Sequence, residues 1–174
     1  MKTGFRKASR VGLVVLAAML ITTGAVWTGT NPSYAAGNNP VPFKGSFSGQ
    51  IVLNGPLAVG ATADLNGTGN STHLGRDPYQ ARVTITAVSV GGVTDVMTET
   101  LTAANGDTLT FLCIQVATQL SPGVFHGIDQ WTVTGGTGKF AGATGSGTGE
   151  TQADFNIGTF SKQYSGTITT HKGN

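Results

Sequence analysis

Between Phe43 and Thr170 the chain is written in short stretches where apolar or glycine positions alternate with Ser, Thr, Asn and Gln, the period-two pattern of strands that bury one face. Phe43, Gly45, Phe47, Gly49, Ile51 and Leu53 alternate with Lys44, Ser46, Ser48, Gln50 and Asn54. That run stops at Asn54-Gly55-Pro56, because proline cannot donate to a strand ladder. A small-residue run covers Leu57 to Thr72, and a Val-, Ile- and Thr-rich one covers Gln80 to Val90. Gly91-Gly92 turns the chain into Val93 to Ala103. Asn105-Gly106 predicts a type I′ hairpin into Asp107 to Thr118, since that turn needs positive φ at both central positions. Ser121-Pro122-Gly123 leads into Val124 to Thr134, and Phe155 to Thr170 closes the pattern. In Trp131 to Gly149, an aromatic, β-branched strand meets a glycine-dense one through a tight Gly135-Gly136-Thr137-Gly138 turn. Glycine weakens a strand interior and is kept where a sheet bends sharply or backbones approach closely.

About eight such runs, joined by short turns and with no helical stripe among them, predict an all-β antiparallel meander. Closing into an up-and-down β-barrel removes its two edges most simply. A β-sandwich is the alternative if strands pair across two sheets. An outer-membrane barrel fits less well, because it needs aromatic girdles and an apolar lipid-facing band. This chain has few aromatics, polar Ser and Thr at many alternate positions, and a polar end at His171-Lys172-Gly173-Asn174.

The first residues have a different grammar. Lys2, Arg6, Lys7 and Arg10 precede the apolar run Val11 to Val26, and small residues follow at Ser33 and Ala35, the form of a secretory signal peptide. The expected organisation is a signal over residues 1–35 and a single β-barrel domain over residues 36–174. The apolar run has about 16 residues, short of the roughly 20 that a membrane-spanning helix needs, so cleavage and a secreted product are expected.

Removing that segment reverses the charge. The formal net charge of the whole chain is +2, but the leader's four basic residues leave six Lys and Arg against eight Asp and Glu. Lys44, Arg76, Arg82, Lys139, Lys162 and Lys172 are scattered, so no nucleic-acid face is expected. With Cys113 alone there is no internal disulfide, and stability falls on the sheet itself.

Thr72-His73-Leu74-Gly75-Arg76, Ala103-Ala104-Asn105-Gly106-Asp107 and the run Gly135 to Gly145 together resemble exported bacterial proteins of unknown function, similar in turn to the allene oxide cyclase and dirigent barrel group. The resemblance implies a barrel of that type, with a ligand in its mouth or lumen. Plant members of the group are implied to cyclise a fatty-acid epoxide or to steer the coupling of phenoxy radicals. Their pocket residues do not map onto this chain position by position, so no catalytic residue is carried over.

Motifs for other chemistry do not survive their context. Gly136-Thr137-Gly138-Lys139 lacks the earlier glycine, the following Ser or Thr, and the helix of a phosphate loop, and Gly145 to Gly149 lacks a strand-helix-strand unit. His73, His126 and His171 have no metal-ligand spacing, Asp95, Glu99, Asp107, Asp129, Glu150 and Asp154 read as surface carboxylates, and no Gly-x-Ser-x-Gly elbow occurs. No metal site and no cofactor are expected. Cys113, in the most apolar strand, reads as a small buried hydrophobe. Candidate lumen residues are Phe111, Cys113 and Gln115 on one face of one strand, and His126, Ile128 and Gln130 on one face of the next. The functional expectation is a secreted, non-catalytic binding or structural module for a small hydrophobic ligand or partner, without stable membrane insertion. The alternative is a cyclase-like enzyme, of isomerase type, acting in the lumen.

Overall fold

The structure, a computed structural model, describes residues 39–170. The proposed signal segment and His171 lie outside the described residues. Eight strands follow one another: β1 (Val41–Asn54), β2 (Thr62–Ser71), β3 (Gly75–Ser89), β4 (Gly92–Thr102), β5 (Thr108–Ser121), β6 (Val124–Gly136), β7 (Thr144–Asp154) and β8 (Thr159–Thr169). Each pairs antiparallel with its neighbour in sequence, and β1 pairs with β8, so the sheet closes on itself. The protein is an all-β, up-and-down, eight-stranded barrel, and the two-sheet sandwich is excluded by the β1–β8 ladder from Val41↔Ile168 to Gln50↔Thr159.

Eight strands leave an interior just wide enough for side chains to fill, and alternation decides which ones enter. On β5, Leu109, Phe111, Cys113, Gln115 and Ala117 are buried while Leu112, Ile114 and Val116 face outward. Gly147 of β7 and Gly166 of β8 are inward positions beside the Trp131 ring. A Cβ built on Gly147 would come within 2.5 Å of the Trp131 ring and would also strike the β8 backbone. Glycine there makes room for an aromatic side chain.

Two turns differ from expectation. At Asn105-Gly106 only the glycine has positive φ, +89°, and the Gly106 N–H donates to Ala103 C=O at 2.9 Å, so the loop is longer than a two-residue type I′ hairpin. Asn105 is held instead by its side chain, which accepts from the Asp107 N–H and donates to the Asp107 carboxylate. The Gly135 to Gly138 segment is likewise no tight turn. Strand β6 runs through Gly136, and a short 3₁₀ turn, Gly138–Phe140, inserts before β7 to deliver a buried Phe140. Gly138 has φ +54°, and the Lys139 N–H donates to Asp107 Oδ2 at 3.1 Å, so the apparent phosphate loop is occupied by the protein's own carboxylate. That bond and the one from Asn105 hold the Asp107 carboxyl below its usual range.

Candidate functional site

The lumen is layered. At the end carrying the β2–β3, β4–β5 and β6–β7 connections, Phe43, Phe111, Trp131 and Tyr164 form one aromatic block. Ring centroids lie 5.3 Å apart for Phe111–Trp131 and 5.8 Å apart for the stacked Phe111–Tyr164 pair. The Trp131 indole N–H donates to Thr148 C=O at 2.9 Å, so its polar edge is satisfied at no cost to packing. Leu74, Ala103, Phe140 and Ile168 are buried at the same end and close it.

Above this block lies a layer of buried charge. Lys162 on β8 is 1 % exposed, and its ammonium stands 2.5 Å from Glu99 Oε1 and 2.8 Å from Asp129 Oδ2. Glu99, on β4, also accepts from the Tyr79 hydroxyl at 3.0 Å and, on its other oxygen, from the Tyr164 hydroxyl. Asp129, on β6, accepts longer bonds from Gln115 and Thr151, both 3.4 Å, through Oδ2, while its Oδ1 has no partner. Burial alone would strip the proton from Lys162, but the Glu99 carboxylate and the other groups around it hold the ammonium well above its ordinary range. Burial, reinforced by the Glu99 charge, pushes both tyrosines well above theirs, so they remain neutral donors. Buried charges persist in a protein only when paired and hydrogen-bonded, and Glu99 meets that condition with three donors.

The third layer opens to solvent through the end carrying the β1–β2, β3–β4, β5–β6 and β7–β8 connections. The cavity there, a funnel open at its mouth, offers about 40 Å³ to the centres of water-sized molecules. A void needs only about 10–15 Å³ on that measure to hold a water, so the cavity takes a few waters and a larger guest extends out through its mouth. Its walls are apolar: Ile51, Leu65, Val83, Ile85, Val93 and Phe125, with Leu57 and Phe155 at the rim. Phe125 and Phe155 meet edge to face at 5.8 Å. Asp95, Gln115 and Thr151 provide polar atoms in the lining. Asp95 is 2 % exposed, and its Oδ1 has no hydrogen-bond partner. Burial raises its carboxyl from 3.8 to about 7, against the pull of Lys162 and with the help of Asp129 and Glu99.

The sequence candidates divide. Phe111, Cys113 and Gln115 all point inward, but only Gln115 lines the cavity; Phe111 belongs to the aromatic block, and Cys113 is fully buried, its thiol driven far above its normal range by burial and the Glu99 charge. His126, Ile128 and Gln130 face outward, not into the lumen, because the inward face of β6 carries Phe125, Gly127, Asp129, Trp131 and Val133. A shift of one residue exchanges the two faces of a strand. Here the alternation misleads because Leu112, Ile114, Val116 and Ile128 make the outer face of β5 and β6 apolar as well. Asp95, Glu99 and Asp129 are lumenal, not surface carboxylates. Their signal was in phase: Asp95 and Glu99 alternate with Val93, Met97 and Leu101, and Lys162 stands between Phe160 and Tyr164. Among the described residues no group of His, Cys, Asp and Glu is arranged to hold a metal ion.

No protein-family model and no curated protein matches the chain. Solved structures do. The pterocarpan synthase dirigent protein GePTS1 is similar at a TM-score of 0.55 and 17 % identity, over 85 % of this chain and 99 % of that one. A second pterocarpan synthase dirigent protein, PsPTS1, gives 0.52 and 19 %, over 79 % and 98 %. A pyocyanin demethylase gives 0.47 and 13 %, over 72 % and 99 %. The fold is thus that of the dirigent barrels.

Proposed function

We propose that this barrel binds one small hydrophobic molecule in the open end of its lumen, with the guest's polar end directed at Asp95, Gln115 and Thr151. One observation carries the reading: an apolar funnel that descends to a few buried polar atoms, the usual composition of a small-molecule site. The packed aromatic block beneath rules the far end out as a second entrance, so the guest enters and leaves by one route. Export completes the proposal: residues 1–35 serve as a cleaved signal, the mature domain begins near Ala36, and polar outward residues such as Lys44, Gln50, Gln80 and Arg82 suit a barrel that works in water rather than in a bilayer.

Native mass spectrometry of the exported protein should find a copurifying small molecule, and Ala153→Phe, which fills the funnel wall, should abolish its retention. Equal retention by the folded variant would move the site out of the lumen. N-terminal sequencing should read from near Ala36; a product beginning at Met1 would remove the secreted assignment.

A catalytic reading of isomerase or cyclase type has one observation in its favour. Asp95 titrates near neutrality at the wall of an apolar cavity, which suits a group that gives and takes a proton. It predicts that Asp95→Asn retains the guest but no longer converts it. In the binding reading the wild type returns the guest unchanged.

A further inference from the structure

We propose that the guest is a lipophilic amine, bound as its ammonium ion with the charged head on Asp95 and the hydrocarbon part along the funnel. The inference rests on the binding reading above and adds the chemical class of the ligand.

Asp95, Glu99 and Asp129 all lie in the lumen, and Lys162 is the one buried cation among the described residues. That ammonium is already engaged by Glu99 and Asp129, and no ion pair links it to Asp95. The tyrosines and Cys113 stay neutral, and Lys162 is shared between Glu99 and Asp129, so no buried cation is left to pair with Asp95 when it ionises. Asp95 Oδ1 is buried and receives no hydrogen bond from the protein at the cavity wall, so its donor has to come from what occupies the cavity. The surrounding wall, from Ile51, Leu65, Val83, Ile85 and Val93, offers none. A carboxylate guest would meet three acidic groups. An alcohol supplies one donor but leaves the charge uncompensated. An alkylammonium supplies both donor and charge, and its chain buries against the apolar wall.

The pH dependence follows. The groups acting on Asp95 are Glu99 from its own strand, Asp129 from β6 and Lys162 from β8. An alkylamine, with an ordinary value like that of lysine at about 10.4, is protonated throughout the range below pH 9. Its affinity therefore tracks the ionisation of Asp95, rising with pH until the carboxyl is fully ionised, by roughly tenfold per unit on the acid side.

Isothermal titration with hexylamine, 1-hexanol and hexanoate at pH 5.5 and 7.5 tests this on the mature protein. Hexylamine should bind at least tenfold tighter than hexanol at pH 7.5 and weaken by at least tenfold at pH 5.5, whereas hexanol should be insensitive to pH and hexanoate should not bind. Asp95→Asn should bring hexylamine down to the hexanol level and remove its pH dependence, while Ala153→Phe should eliminate both. Hexanol binding that is lost in Ala153→Phe, with no preference for the amine, overturns the amine assignment and leaves the binding reading intact. Absence of binding by all three probes overturns both. The comparison among wild-type titrations needs no variant to fold.

Discussion

The two ends of the lumen are built by the same alternation rule and have opposite properties. At the closed end Phe43, Phe111, Trp131 and Tyr164 pack against one another, and Gly147 and Gly166 leave room for the Trp131 ring. At the open end Ala63, Ala117 and Ala153 stand among the larger aliphatic inward residues, and the walls do not meet. Between them sits the layer of Glu99, Asp129 and Lys162. The closed end is thus limited by packing, and the charged layer and the funnel are limited by electrostatics. The packing of the aromatic rings should be indifferent to pH, and the charged layer and the funnel should respond to it.

The largest effects should separate these regimes. Trp131→Ala removes the centre of the aromatic block and should cost about 3–5 kcal/mol at any pH between 5 and 8. Lys162→Met leaves the lumenal carboxylates without their cation and should cost a similar 3–5 kcal/mol at pH 8, shrinking as the pH falls and those carboxylates take up protons. Denaturant unfolding at both pH values checks the pair. A Trp131→Ala loss that varies strongly with pH, or a Lys162→Met loss that does not, breaks the division.

Asp95 should act in the opposite direction. Its folded value, about 7, lies above the unfolded 3.8, so the native state holds the proton more tightly and the penalty grows as pH rises from about 4 to 7. Asp95→Asn should therefore stabilise the unliganded barrel at pH 8, on the order of 2–4 kcal/mol, and change little at pH 4. Melting curves at the two pH values measure it, and a destabilised variant at pH 8 would mean that the carboxylate has a favourable partner. Asp77, its carboxyl raised to about 6 by burial against hydrogen bonds from both the hydroxyl and the backbone of Ser71, adds to the same downward slope with pH.

Smaller effects sharpen the closed end. Gly147→Ala puts a methyl group into the Trp131 ring and should cost about 1–3 kcal/mol, typical of overpacking. The cost should fall in a Trp131→Ala background if the ring is the obstacle, and persist if the β8 backbone is. Cys113→Ala should cost about 1 kcal/mol by small-core truncation. Its thiol should react with a maleimide only after denaturation, since it is fully buried and its thiolate is disfavoured. Rapid labelling of the folded protein would show that the lumen opens further than its static shape.

The strand pattern was legible because alternation is local. The observed strands coincide with most of the apolar-polar runs, although Leu57 to Ala61 and Phe155 to Gly158 are loops at the funnel mouth rather than strand. The inward face of β5 was readable from Leu109, Phe111 and Cys113, while that of β6 was not, because Ile128 imitated a core position beside an outer face that is itself apolar. The charged layer was missed for a different reason. Carboxylates and lysines are usually exposed, and that prior overrode the phase that placed Glu99 with Met97 and Leu101.

An all-β chain of about eight strands with glycine at the close approaches is written in the residues alone, because side-chain period and turn chemistry act over a few residues. Closure of the sheet, and the meeting of Lys162 with Glu99, 63 positions away, and with Asp129 inside it, arise only in the folded barrel. Pairing register and closure are collective choices of all eight strands. The same closure that buries a lysine beside two acids leaves Asp95 Oδ1 without a partner, and no local pattern contains that fact.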